Sequence, residues 1–314
     1  MKHESIDAPG RPATGPLESA RPDSAQHAAA GVGYALRSRL PRGEMIGLLA
    51  VPAVAYLTLV YALPLVWLLA RSIIGPEGLT FQPYIDFFSE TYNWSVIGNT
   101  LRVAGLTTLV CLLIGYPTAI ALSRARGLVQ VVMLAGIILP LSVGVVVKAF
   151  AWQIVLARNG VIGSTIVGLG IADEAPRLLF TETGLVLGAA NVFLPFMILP
   201  IYSVLKLVDP RLPEAAATLG ASPFYRFFRV SLPLTLPGLI AGSAFVFSLS
   251  ISMFVIPSLL IGDRFQTLAT LTGRSFLLMR DQQLGSTTAV VLLVICIAVV
   301  IASSWLARAM GGNR

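Results

Sequence analysis

Six long apolar stretches set the first constraint on this 314-residue chain, at approximately Met45–Ala70, Val96–Leu122, Val129–Leu156, Thr183–Lys206, Leu236–Ile261 and Leu284–Ala307. Each has the about 20 residues that a helix needs to cross roughly 30 Å of hydrocarbon. None alternates with period two, and all are too long for barrel strands, so helices are expected. With 56% hydrophobic and 12% charged residues and a mean hydropathy of +0.82, the composition argues against a soluble domain. The expected fold is all-α: an integral membrane protein with six transmembrane helices.

Basic residues in the short loops predict the orientation. One set of flanks holds Arg37, Arg39 and Arg42, then Arg124 and Arg126, then Lys206, Arg211, Arg226 and Arg229, and finally Arg308 and Arg314. The other set holds Arg71, Arg158, Arg177, Arg264, Arg274 and Arg280. The richer set is expected in the cytoplasm, with both termini on that side. The net charge of +7 then reports topology and points to lipid rather than nucleic acid. Residues 1–44 contain no apolar run long enough for a signal peptide and read as a disordered cytoplasmic tail. The membrane domain is expected over 45–308 and a cytoplasmic C-terminus over 309–314. Cys111 and Cys296 fall inside apolar spans and read as packed thiols.

Several chemistries lack their residues. Both histidines, His3 and His27, lie in the tail, and no Asp or Glu falls inside any of the six expected spans. Intramembrane metalloproteases and carboxylate-relay pumps need such groups at membrane depth. None of the three lysines follows a glycine, so the chain has no GxxxxGK[ST] phosphate loop. The chain cannot hydrolyse ATP by that route, and the energy for any active transport must come from another subunit.

A polar insert over 207–233 separates the fourth and fifth spans. Leu212-Pro213 places a helix start at Pro213, with Glu214 in the first turn where the helix dipole favours negative charge. Ala215, Ala216 and Ala217 propagate helix and leave a low-profile surface. Gly220 falls where a left-handed cap is wanted. Ser222-Pro223 reads as an N-cap and first position of a second short helix. Phe224, Phe227 and Phe228 cluster on that helix near Arg226 and Arg229. An ordinary surface loop with an amphipathic turn is the alternative.

Glu214-Ala215-Ala216, three residues, Gly220, nine residues, then Val230-Ser231-Leu232-Pro233 resembles the EAA motif of permease subunits of binding-protein-dependent ABC importers. The resemblance spans roughly 45–308. It implies a type I ABC importer permease (MetI-like) fold, whose cytoplasmic coupling helix docks on an ATPase. By that resemblance Glu214, Ala215, Ala216, Gly220, Ser222 and Arg226 form the coupling surface. Asn99-Thr100-Leu101-Arg102, Gly115-Tyr116-Pro117, Ala149-Phe150-Ala151-Trp152, Leu194–Pro200 and Phe254-Val255-Ile256-Pro257 are similar to the spermidine/putrescine-type permeases. Such sequences often carry Gly-Glu before the last segment, where this chain has Ser252-Met253. The implied partners are a second permease of different sequence, two ATPase subunits that hold ATP and Mg, and an extracytoplasmic solute-binding protein. No cofactor is expected on this chain, and the subunit is expected to be non-catalytic.

Pro140, Pro195, Pro200 and Pro257 lie inside expected spans, where helix breaks are tolerated only against protein or a watery cavity. Lys148 is either a pathway residue or a snorkelling side chain, and Arg102 is expected to snorkel at the outer interface. Phe150, Trp152, Asn191, Ser248, Ser250 and Ser252 complete the candidate pathway, with belt packing and helix–helix hydrogen bonds as the alternative reading. One lysine and no carboxylate suit an anion, a zwitterion or a neutral solute better than a dication. A partner permease could supply the missing acidic groups, so the expected solute is an amine-bearing organic molecule: a polyamine, an amino acid or an aminophosphonate. A stand-alone carrier or channel, or a membrane scaffold, would have to treat the 214–233 pattern as coincidence.

Overall fold

The computed structural model describes residues 42–75, 78–209 and 211–311. The chain divides into two units, Met1–Leu65 and Val66–Arg314. Helix α1 (Arg42–Ile73) starts within the stretch expected to be a tail; the rest of that tail lies outside the described residues. A two-residue hairpin follows, β1 (Ile74–Gly75) antiparallel to β2 (Gly78–Leu79). Then come α2 (Gln82–Ser89), α3 (Thr91–Arg124), α4 (Gly127–Ile138), α5 (Val145–Leu156), α6 (Val161–Gly168) and α7 (Glu182–Leu207). The last group is α8 (Arg211–Thr218), α9 (Pro223–Arg226), α10 (Leu232–Ser252), α11 (Val255–Leu260), α12 (Leu268–Arg274) and α13 (Gln282–Gly311).

Six stretches among the described residues are long and apolar enough to cross a membrane: Val51–Ile73, Thr91–Arg124, Val145–Gly168, Glu182–Leu207, Pro223–Ser252 and Gln282–Trp305. Two expected spans differ. The stretch Val129–Leu156 is not one helix, because α4 stops at Ile138, a 3₁₀ turn takes Leu139–Ser142, and α5 starts at Val145. Pro140 sits at the start of that turn, where its missing N–H cannot continue the α ladder. The stretch Leu236–Ile261 is also broken. α10 ends at Ser252, Met253 is extended, and α11 resumes at Val255. The break falls four residues before Pro257, where the proline ring clashes with the carbonyl of a continuing helix. By contrast α7 runs unbroken through Pro195 and Pro200.

Three helices form the centre of the second unit. α3 and α7 are parallel: Arg102 meets Glu182, the Cys111 thiol donates to Ala190 O (3.5 Å), and Gly115 faces Met197. α10 runs antiparallel to α7, with Gly238 against Pro200–Val204 and Gly242 against Met197. A methyl on Gly115 would lie 2.9 Å from Met197 Cγ, and one on Gly242 would lie 3.0 Å from Met197 O. Fully buried Met197 therefore fills the space that two glycines leave. Lipid gives helices no hydrophobic reason to associate, so close approach through small residues supplies the attraction. α4 and α5 cross beside α7 as a broken pair. Gln130 Nε2 donates to Tyr202 Oη (2.8 Å) near one end of α7, and Leu156 lies against Gly184 near the other.

Candidate functional site

The 207–233 insert joins the C-terminus of α7 to the N-terminus of α10, and its caps are visible atom by atom. α8 begins at Arg211, two residues before the expected start at Pro213. The cause is Asp209, whose Oδ1 accepts from Arg211 N (2.9 Å) and whose carbonyl accepts from Leu212 N (3.2 Å). Pro213 then stands in the first turn, where its lost donor had no helical partner. Glu214 is the fourth residue of α8.

The helix closes as a Schellman turn. Ala221 N donates to Ala216 O (3.1 Å), Gly220 N donates to Ala217 O (3.0 Å), and Gly220 adopts φ +82°. Ser222 caps α9, its hydroxyl accepting from Tyr225 N (3.3 Å), with Pro223 in the first position. α9 lasts four residues and passes into a π-helical turn, Phe227–Ser231, before α10. Phe224, Phe227 and Phe228 do cluster: rings 224 and 228 are 4.7 Å apart, and rings 227 and 228 are 4.9 Å apart. The surface they leave is apolar, with Leu219 88% and Phe224 74% exposed. Ala215 and Ala217 are exposed and Ala216 is half-buried. Arg226 is half-buried, and its Nε has no hydrogen-bond partner among the described residues.

This insert is anchored to the helix core. The Phe227 ring meets the Tyr116 ring of α3 edge-on, at 5.6 Å and 88°. The Tyr116 hydroxyl lies 2.9 Å from Thr235 Oγ1 in α10.

The candidate pathway residues divide by face. Trp152 Nε1 donates to Asn191 Oδ1 (3.1 Å), which ties α5 to α7. Gly188, one turn earlier on α7, lets Trp152 and Leu260 approach, since an added Cβ would sit 2.5 Å from Leu260 Cδ2. Asn191 is exposed although it lies well inside an apolar span. Lys148 is half-buried one turn before Trp152, and its ammonium makes no ion pair among the described residues. Phe150 is exposed on the opposite side of α5. Ser248 and Ser252 share one face of α10, and the Ser252 hydroxyl donates back to Ser248 O (3.1 Å). Ser250 faces the other way and is buried, and among the described residues neither its hydroxyl nor that of Ser248 has a hydrogen-bond partner. The structure thus joins Trp152 to Asn191 and places Phe150 and Ser250 elsewhere.

Two observations lie at the start of α7. The helix begins one residue before the expected span and so takes in a carboxylate: Glu182 is the first residue of α7, behind the N-cap Thr181, whose side chain accepts from Gly184 N (3.2 Å). Arg102, expected to snorkel, also has an ion-pair partner there, its Nε lying 2.9 Å from Glu182 Oε1. An ion pair at the N-terminus of α7 holds that carboxylate where the helix dipole favours it. No spacing rule joins residues 102 and 182, so sequence reasoning missed the pair. Gln153, which donates to the Leu259 carbonyl, was missed for the same reason. Among the described residues no group of His, Cys, Asp and Glu could hold a metal ion.

Residues 177–312 match the family described as the binding-protein-dependent transport system inner membrane component. The spermidine/putrescine transport system permease protein PotB of Haemophilus influenzae is 34% identical over 240 residues, covering 74% of this chain and 84% of that protein. PotB of Escherichia coli K12 is 29% identical over 252 residues, covering 78% of this chain and 91% of that protein. In fold, the chain is similar to a chain of a bacterial ABC transporter crystal structure involved in import of the acidic polysaccharide alginate. The TM-score is 0.70 at 15% identity, over 85% of this chain and 96% of that one.

Proposed function

The chain belongs to the permease family of binding-protein-dependent ABC importers, and from that premise we propose how its residues couple and conduct. It is a multi-pass inner-membrane component. In the proposed arrangement both termini are cytoplasmic, and a second permease of different sequence completes the passage. Two ATPase subunits dock on the 207–233 insert, and an extracytoplasmic binding protein delivers solute to the Glu182 end of α7.

The observation that carries this reading is the insert itself. Its Schellman turn at Gly220 presents two exposed alanines with Leu219 and Phe224. An apolar surface of this kind facing water needs a protein to cover it. Glu214, Ala215, Ala216, Gly220 and Ser222 shape that surface, with Arg226 behind it. ATP-driven closure of the ATPase pair would shift the insert and rock the spans between inward-open and outward-open states. All ATP chemistry, with its Mg, resides on the partners.

For the solute, the relatives' names favour a polyamine within the amine-bearing class. Glu182 supports that choice, because it supplies a negative charge that an ammonium could share with Arg102. Asn191, Trp152, Lys148, Ser248 and Ser252 would line the passage.

The test is co-expression with the ATPase, second permease and binding protein, followed by purification and a ligand screen on the binding protein. Wild-type chain retains the ATPase, Glu214→Arg loses it, and the screen returns polyamines. Uptake by the lone chain without ATP, or a binding protein selective for a sugar or a metal, refutes the proposal.

A further inference from the structure

We propose that Tyr116 is the positioning residue that transmits movement of the coupling insert into α3 and α7. The inference rests on the docking role proposed above for residues 207–233. It starts from the π-helical turn Phe227–Ser231, which joins the short helices of the insert to α10. Leu232 N donates to Phe227 O across that turn. A π-turn is wider and less well packed than an α-turn, and such turns gather at functional sites. Left unsupported, it would absorb a push on α8 and α9 by local bending.

Tyr116 braces both ends of this turn. Its ring stands edge-on to Phe227, the first residue, at 5.6 Å. Its hydroxyl reaches the last residue by relay. Thr235 Oγ1 donates to Ser231 O (2.9 Å), with Leu232 O at 3.1 Å sharing the proton at the end of the turn. A hydroxyl has one proton, so Tyr116 is then the donor to Thr235 across 2.9 Å. Tyr116 is buried, Thr235 is fully buried, and neither competes with water for these bonds. The receiving side is equally close. Gly115, the preceding residue on α3, leaves no slack against Met197 of α7. A displacement of the π-turn therefore reaches α3 through Tyr116 and α7 through Gly115.

The experiment uses the complete four-component transporter in proteoliposomes, with Tyr116→Phe and Thr235→Val. Tyr116→Phe keeps the ring contact and removes only the hydroxyl, and Thr235→Val keeps the shape of the side chain. The expected result is wild-type ATPase stoichiometry and basal hydrolysis. Binding-protein-stimulated hydrolysis and uptake fall together by roughly fivefold, the scale of one lost hydrogen bond. The double variant falls no further than either single one, because both remove the same relay. Wild-type stimulation in both single variants overturns the proposal. So does loss of the ATPase subunit or of basal hydrolysis, which would make the role structural. Failure of the docking reading is seen separately, as retention of the ATPase by Gly220→Glu.

Discussion

Gly220 offers the cleanest separation of backbone conformation from contact. Its φ is +82°, and a Cβ built on it meets nothing within 4 Å. Any effect of a small side chain there is conformational, not steric. Holding an L-residue other than Gly or Asn in the left-handed region costs about 1–2 kcal/mol. At 1.4 kcal/mol per decade, that shifts the Schellman turn against its open forms by about fivefold to thirtyfold. Asn tolerates the left-handed region, so Gly220→Asn should stay within about twofold of wild type. Gly220→Ala should weaken ATPase binding by about fivefold or more. The assay is titration of ATPase subunit onto detergent-purified permease pair, read by fluorescence anisotropy, alongside uptake. If Ala binds as tightly as Gly, or Asn as weakly as Ala, the turn geometry does not set the docking surface.

Two further outcomes test the core and the proposed solute end. Gly242→Ala drives a methyl onto the Met197 carbonyl at 3.0 Å and should cost about 1–3 kcal/mol, seen as a lower Tm in detergent. Gly105→Ala enters open space on α3 and should leave Tm unchanged or raise it, by up to about 1 kcal/mol; equal effects would refute the packing argument. Glu182→Gln should raise the KM for a cationic solute by about tenfold or more, since a hydrogen bond to a charged group is worth about 1.5–3 kcal/mol. The exchange Arg102→Glu with Glu182→Arg should restore the ion pair but not uptake. Wild-type transport by the exchanged protein would make the pair purely structural.

Much of the site was legible because its signals are local. Asp209, Gly220, Ser222 and Pro223 act on backbone atoms within a few residues, so caps and turns follow from adjacent side chains. The start of α8 was misplaced because Pro213 is a strong marker and Asp209 is a quieter one. The third and fifth expected spans ran through helix breaks for a related reason. Hydropathy does not sense Pro140 or Pro257, and both breaks fall within three or four residues of a proline in otherwise apolar sequence.

Sequence by itself determined that the chain is a helical membrane protein, where its polar insert lies and how that insert turns. Each of these depends on hydropathy over about 20 residues or on one backbone conformation. Tertiary structure alone decided that Tyr116 reaches Thr235, 119 residues away, that Arg102 meets Glu182, and that Trp152 holds Asn191. Those pairings exist because glycines at 115, 188, 238 and 242 let particular helix faces approach. Which faces meet depends on the joint packing of helices distant in sequence, and no single stretch of the chain encodes it.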